Sequence, residues 1–161
     1  MSTSTETFIT VSKDFNHLYF PLICKFFKNR IASLYGNQDK AIDKIKKGED
    51  RACEIMLICD DPIGFIVYKT ELQDEFDLKD SFELKTLALF HPEVHSGKGY
   101  GSLLYDRVDY LARNKSAHCI FCTVNVNSKN PIKCLLKNKY KLKKKVTENN
   151  FLAVKNLCKI Y

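Results

Sequence analysis

Glycines are concentrated in one short stretch of the sequence. Three of the six glycines, Gly97, Gly99 and Gly101, fall within five residues, between a predicted strand and a predicted helix. Glycine allows a positive φ and lets the backbone approach a ligand closely. The first N–H groups of a helix have no partner within the helix and lie at its positive end, so they bind phosphate oxygens well. Because Lys98 and Ser102 add a charge and a hydroxyl, the stretch is predicted to bind a phosphate-bearing ligand.

Two familiar phosphate loops do not fit this stretch. A P-loop requires a lysine followed by serine or threonine, whereas Gly99 follows Lys98. The dinucleotide-binding fingerprint requires glycine at its sixth position, which Ser102 occupies, and it belongs at the first strand of a βαβ unit. A glycine-rich turn that binds no ligand is the alternative interpretation.

Hydrophobic periodicity predicts the elements that position this loop. Apolar residues three and four apart indicate helices, and short alternating or β-branched runs indicate strands. The predicted strands are Thr7–Val11, Ala52–Cys59, Pro62–Tyr68, Phe82–Phe90, His118–Val126, Lys141–Val146 and Phe151–Leu157, and the first hairpin is expected to turn at Asp60-Asp61. The predicted helices are Pro21–Leu34, Asp39–Lys47, Gly99–Asn114 and one with Asn130 as N-cap and Pro131 at its first position. Hairpins combined with helical crossovers predict the α/β class, with a mixed sheet covered by helices in one domain.

The charge of the chain is unevenly distributed. The formal net charge is +7, but residues 128–161 hold ten lysines and a single acidic residue, Glu148. This basic third would attract phosphate-bearing partners, or its lysines simply lie on solvated faces. The stretch Glu71–Glu83 is acidic and is predicted to be a polar hairpin or loop.

The composition excludes several classes of protein. The 161 residues are 45% apolar, which is ordinary for one globular domain. No apolar run is long enough to span a bilayer, and the first residues lack the basic and apolar regions of a signal peptide. The odd count of seven cysteines, without the dense spacing of a secreted disulfide scaffold, predicts a reduced, cytoplasmic compartment. Cys119 and Cys122 lie three apart on a predicted strand, so their side chains should diverge, and no metal site is expected.

Residues 83–140 resemble the core of the GNAT superfamily of acetyl-CoA-dependent N-acetyltransferases. The segment is similar to that family's fourth strand, pyrophosphate loop, third helix, fifth strand and fourth helix, and the elements outside it also follow the family order. The family loop reads R/Q-x-x-G-x-G/A. Here Ser96-Gly97-Lys98-Gly99-Tyr100-Gly101 keeps both glycines and has Ser96 at the leading position. The resemblance implies a single N-acetyltransferase domain over residues 1–161, in the α/β class. Its mixed central sheet would have about six to seven strands, in the order β-α-α-β-β-β-α-β-α-β-β, with helices on both faces.

The resemblance also implies a reaction and a set of cosubstrate-binding residues. The protein would move an acetyl group from acetyl-CoA to a primary amine, which attacks the thioester directly. The CoA pyrophosphate would bind the loop amides, the pantetheine arm would pair with the end of the fourth strand, and the amide near Leu89 would polarise the thioester carbonyl. Asn127 or Asn130 would contact the pantetheine or position the leaving sulfur. The implied cosubstrate-binding residues are Leu87, Leu89, Phe90, Ser96, Gly97, Lys98, Gly99, Tyr100, Gly101, Ser102, Asn127 and Asn130.

The amine is protonated at neutral pH, so the reaction needs a group that accepts its proton. Glu83, six residues before Leu89, is the first candidate, because similar enzymes of the histone-modifying branch carry a glutamate there. The alternative is that Glu83 merely ends the acidic stretch in solvent. His91, just past the strand end, is the second candidate for the base. The family's usual general acid, a tyrosine in the fourth helix, is absent from the matching Lys133–Lys137, and Cys134 is interpreted there as a packing residue.

The acceptor is left open by the sequence. It could be a small polyamine-like amine, a protein lysine or N-terminus, or the amino group of charged tRNA, of which tRNA is not favoured because the motifs of toxin-type members match poorly. Cationic amines would favour a cleft near the acidic Glu71–Glu83. Two other functions stay open: a CoA-binding domain without catalysis, suggested by Ser96 and the missing tyrosine, and a basic nucleic-acid-binding module. No membrane partner is expected, and a homodimer is one expected state because GNAT-like domains often dimerise.

Overall fold

The computed structural model describes residues 5–13 and 17–157. The strands are β1 (Glu6–Thr10), β2 (Arg51–Ile58), β3 (Asp61–Lys69), β4 (Gln73–Glu75), β5 (Leu78–Leu89), β6 (Cys119–Asn125), β7 (Lys141–Thr147) and β8 (Asn150–Asn156). The helices are α1 (Phe20–Phe26), α2 (Ala32–Tyr35), α3 (Asp39–Lys47), α4 (Pro92–His95), α5 (Tyr100–Asn114) and α6 (Lys129–Lys137), with a π-helical turn over Phe27–Ile31 between α1 and α2. No helix within these residues has the length and apolar character needed to cross a membrane.

All eight strands belong to one mixed sheet. Its order is β1-β2-β3-β5-β6-β8-β7, with β4 paired to the start of β5. Every pairing is antiparallel except that of β5 with β6. The predicted α/β class and mixed sheet are therefore confirmed. The strand beyond the expected number is β4, which pairs with the start of β5 inside the acidic stretch predicted to be a hairpin or loop.

Helices cover both faces of the sheet, as expected. On the face that we call the α5 face, Leu104 and Val108 of α5 and Leu135 of α6 enter the larger core cluster. On the opposite face, the α3 face, Ile42 and Ile45 of α3 are buried together with side chains of α1 and the π turn. The spacing of three or four between these residues is the one that places side chains on a single side of a helix.

The π turn determines which side chains of the first helical segment face the sheet. Phe27, Ile31 and Tyr35 are spaced by four residues, and four residues exceed one turn of a regular α-helix. The wider π turn offsets that drift, so the three side chains stay on one side. All three line the same cavity beneath the helix.

Strands β5 and β6 separate after a short parallel contact. Their register covers only three pairs, from Ser81 with Cys119 to Glu83 with Phe121. Beyond Glu83, β5 remains paired with β3 while β6 remains paired with β8. The sheet therefore opens into a wedge-shaped gap between Leu84–Leu89 and the second half of β6.

Several predicted boundaries were wrong, for local reasons. The β2–β3 hairpin turns at Cys59 and Asp60, both at positive φ as a two-residue primed turn requires, and not at Asp60-Asp61. Helix α6 begins at Lys129 with Ser128 as its N-cap, so Asn130 is not the cap. Pro131 fits within the first turn because N–H groups there have no helical partner.

The two cysteines of the C-x-x-C pattern diverge, as predicted. Cys119 packs in a small cluster on the α3 face with Phe121, whereas Cys122 lies in the core on the α5 face. The six cysteines within the described part of the chain are free thiols, and Cys134, expected from the sequence to be a buried packing residue, is exposed.

Gly64 lies where β3 closely approaches its neighbouring strand β5 and the helix α5 that packs on the sheet. A Cβ atom at this position would lie 2.7 Å from the Ala88 carbonyl oxygen and 2.9 Å from Leu104 Cδ1. Because the nearest atom is backbone, relief requires movement of the strand. We expect Gly64→Ala to lower the free energy of unfolding by about 1–3 kcal/mol, measured by urea denaturation. The matched variant Gly101→Ala, whose Cβ would meet nothing within 4 Å, should not be destabilised, and equal stability of the two variants would refute the packing argument.

Candidate active site

A cavity of about 230 Å³ fills the gap between β5 and β6, and we call it the gap cavity. It passes between elements of both faces of the sheet. The lining comprises Phe26, Arg30, Ile31, Leu34 and Tyr35 on one side, Tyr105, Ser128, Pro131 and Leu135 on the other, and Leu84–Ala88 with Cys122–Val124 from the two strands. A ligand in this cavity could contact both faces of the sheet at once.

A second cavity of about 370 Å³ lies on the α3 face, and we call it the α3 cavity. Its roof is formed by the π turn, α2 and α3, and its floor by β2, β3, β5, β6 and the first residue of β8. The residues that it shares with the gap cavity are Ile31, Tyr35, Lys85, Thr86 and Thr123. Two molecules bound in the two cavities would therefore meet near these shared side chains.

The edge of β5 that faces the gap carries unpaired backbone groups. Phe90 N–H donates to the Ile63 carbonyl at 3.0 Å, so the backbone N–H and C=O groups of Phe90 point toward β3. Because direction alternates along an antiparallel pair, the N–H and C=O groups of Leu87 and Leu89 point the other way, into the gap. No β6 residue pairs with them. An extended ligand can add to such an edge as a strand would.

The glycine loop lies between this strand and α5, as predicted. Gly97 and Gly99 have φ values of 80° and 82°, which favour glycine, and Gly99 is the N-cap of α5. Within the described part of the chain, the six backbone N–H groups from Gly97 to Ser102 have no backbone or side-chain acceptor. Gly101 lies inside the first turn with no positive φ, so it is not required by conformation. The loop thus presents a row of free donors at the positive end of a helix of 15 residues.

Some residues around the start of α6 line the gap cavity and others do not. Asn127 and Asn130 are exposed, and Asn127 N–H donates to Asn125 Oδ1 at 2.9 Å. The residues of this region that line the gap cavity are Ser128 and Pro131. The roles of Asn127 and Asn130 in binding pantetheine stay predictions.

Glu83 lies at the vertex where the two strands separate. Phe82 and Leu84 enter the core on the α5 face, so alternation places Glu83 on the α3 face. Its side chain is 13% exposed, and Lys85 Nζ donates to Glu83 Oε2 at 3.2 Å. Glu83 lines neither cavity itself, but its ion pair places a mostly buried carboxylate beside Lys85 of the shared lining, where it could act as a base.

His91 is not brought together with Glu83. It follows β5 at the surface, where its Nδ1 lies 3.5 Å from Glu93 Oε1. It lines a separate surface pocket with Phe26 and Arg30. Its assignment as an alternative base stays a prediction.

Burial raises the pKa of the Cys122 thiol and of the tyrosine hydroxyls that line the gap cavity. Burial raises the pKa of Cys122 to about 12, and the negative charge of Glu83 adds to this effect. Burial also raises the pKa of Tyr105. The pKa of Tyr35 is raised, mainly by burial and less by Cys122, against a backbone hydrogen bond from Asn125 that lowers it. A nucleophilic thiolate at Cys122 is therefore disfavoured, whereas neutral hydroxyl donors are available.

Sequence reasoning missed most of the side chains in the shared lining. Tyr35, Thr86 and Thr123 come from three elements far apart in the chain. Tyr35 ends a helix whose pattern predicted only packing, and Thr86 follows a bulge in the β3–β5 pairing. The π turn and the bulge leave no mark in hydrophobic periodicity, so no sequence signal identifies these residues.

Solved structures share this architecture from end to end. The CoA complex of PaiA N-acetyltransferase from Thermoplasma acidophilum has a TM-score of 0.68 at 16% identity, covering 95% of this chain and 99% of that one. Arabidopsis thaliana NAA60 with a bisubstrate analogue has a TM-score of 0.74 at 11% identity, covering 96% and 100%. An acetyltransferase from Thermus thermophilus has a TM-score of 0.71 at 16% identity, covering 98% and 100%.

No protein-family model matches the sequence, and no curated protein matches it. The comparison with known proteins therefore rests on these solved structures, and at 11–16% sequence identity they show a shared fold. The chain has the fold of the GNAT N-acetyltransferases, which confirms the fold that the resemblance of residues 83–140 implied.

Proposed function

We propose that the protein is an N-acetyltransferase that moves an acetyl group from acetyl-CoA to a primary amine. The observation that carries the proposal is the gap between β5 and β6, whose unpaired strand edge leads to a loop of free N–H donors. The diphosphate of CoA would accept hydrogen bonds from Gly97–Ser102. The pantetheine arm would lie along Leu87 and Leu89 and place the thioester in the gap cavity.

The reaction would proceed by direct attack across the gap. The neutral amine nitrogen in the α3 cavity attacks the thioester carbonyl carbon, the C–N bond forms, and the negative charge collects on the carbonyl oxygen. The Leu89 N–H points into the gap and would donate to that oxygen. The C–S bond then breaks and CoA leaves as a thiolate that takes up a proton. Glu83 would accept the proton lost by the amine, directly or through water.

Gly99 offers a direct test of cosubstrate binding. Asn and Asp are nearly isosteric and both tolerate positive φ, so they differ at this position mainly in charge. We expect Gly99→Asp to weaken acetyl-CoA binding at least about tenfold relative to Gly99→Asn, because its carboxylate faces the diphosphate. Isothermal calorimetry with acetyl-CoA measures the difference. Equal affinities of the two variants would contradict a diphosphate site at this loop.

A further inference from the structure

The α3 cavity has a charged lining that limits which amines it can hold. The basic side chains in its wall are Arg51 and Lys85, and no acidic side chain of the described residues lines it. Asp74, Glu75 and Asp77 of the acidic stretch Glu71–Glu83 are absent from the wall. The carboxylate of the stretch Glu71–Glu83 that lies beside this cavity is Glu83, and it is paired with Lys85 of the wall.

The positive charge at Arg51 is held in place by its neighbours. Arg51 Nε lies 2.9 Å from Asp50 Oδ1, and Lys69 Nζ lies 2.7 Å from Asp50 Oδ2. One carboxylate thus serves two cations, and these hydrogen bonds hold the pKa of Asp50 well below its usual range. Asp50, Arg51 and Lys69 together keep one net positive charge. Asp50 also accepts from Arg51 Nη2, so two of the roughly five N–H donors of the guanidinium are engaged and the others remain for a ligand.

The position of Arg51 determines how far an anion lies from the reacting amine. Arg51 stands on β2, two strands from β5, which is roughly 10 Å across the sheet at about 4.8 Å per strand. The gap lies beyond β5. The apolar floor and roof between them, including Phe27, Ile45 and Val67, suit an aliphatic chain. An amine that shares a carbon with its carboxylate is too short to reach both ends.

We propose that the acceptor is an ω-amino compound whose far end carries an anionic group bound by Arg51. This rests on the proposed acetyl transfer and specifies its acceptor. The anionic group is a carboxylate or a phosphate, since a guanidinium binds either through paired N–H donors. The primary amine at the other end lies beside the shared lining, within reach of Glu83.

The test is an acceptor panel at matched chain length. An ω-amino carboxylate, an ω-aminoalkyl phosphate, an alkylamine and a diamine, each in several lengths, are assayed for acetylation at fixed acetyl-CoA. We expect kcat/KM for the better anionic compound to exceed that of the alkylamine at least about tenfold and that of the diamine by more. The ranking of carboxylate and phosphate identifies the anionic group. A diamine or alkylamine used as well as both anionic compounds, or no acceptor used at all, overturns the proposal.

Two variants connect the preference to its residues. Arg51→Gln should remove the preference for the anionic compounds, mainly through KM. Because Arg51 is buried and could be needed for folding, Lys85→Gln is the second variant. It leaves the negative charge of Glu83 without its cation beside the cavity, so it should reduce the preference for anionic compounds a few-fold. Lys79→Gln, an exposed lysine outside the cavity, is the control. The proposal is overturned if folded Arg51→Gln, or Lys85→Gln, keeps the wild-type preference for anionic compounds. Failure of the proposed acetyl transfer is recognised separately, because calorimetry would then show no binding of acetyl-CoA.

Discussion

Glu83→Gln is expected to lower kcat for amine acetylation by about 10²- to 10⁴-fold while leaving acetyl-CoA affinity unchanged. Glutamine preserves the size of the side chain but cannot accept the proton of the attacking amine. The carboxylate lies at the last paired position before β5 and β6 separate, on the face that carries the α3 cavity. Steady-state kinetics at saturating acetyl-CoA, together with calorimetry, measure the two quantities.

Glu75→Gln is the matched control, because it removes an exposed carboxylate of the acidic stretch Glu71–Glu83 that lies outside both cavities. It should retain the wild-type rate. Turnover that is unchanged in Glu83→Gln across pH would remove Glu83 as the base.

The second large effect concerns stability. Glu54 is 4% exposed, and its two carboxylate oxygens accept from Arg107 Nε at 2.7 Å and from Tyr68 Oη at 2.6 Å. These contacts join β2 and β3 to α5, the helix that begins at the glycine loop. We expect Arg107→Met to lower the free energy of unfolding by about 3–5 kcal/mol, because it leaves a buried carboxylate without its cation. Urea denaturation followed by circular dichroism measures the change.

An exposed ion pair provides the comparison. Lys47 and Asp43 pair at 3.0 Å with more than half of each side chain exposed, so Lys47→Met should leave the free energy of unfolding nearly unchanged. Combining Arg107→Met with Glu54→Gln should recover part of the loss, since the unpaired charge is then removed. Similar stability of Arg107→Met and Lys47→Met would show that the buried pair contributes little.

The parts of the fold that depend on local pattern could be predicted from the sequence. Helix α3 was predicted with its observed bounds, because apolar spacing and Gly48 mark its face and its end. The loop at Gly97 and Gly99 was predicted because positive φ restricts residue type so strongly. By contrast, α4 was missed, since a helix of four residues has too few positions to show a period.

The composition of the site could not be predicted, because it depends on long-range packing. Tyr35, Arg51 and Thr123 meet around one cavity although many residues separate them along the chain. The bulge opposite Val67 and Tyr68 interrupts strict alternation at Lys85, and only the paired strand reveals it. The binding role of Arg51 was likewise invisible, since a lone arginine at a strand end usually indicates a solvated residue.

A crystal structure of the protein with acetyl-CoA tests the central claim most directly. We expect the diphosphate within hydrogen-bonding distance of the N–H groups of Gly97–Ser102, and the pantetheine arm paired with Leu87 and Leu89 in the gap between β5 and β6. A gap that stays empty at saturating acetyl-CoA, or a diphosphate bound elsewhere on the molecule, would contradict the account.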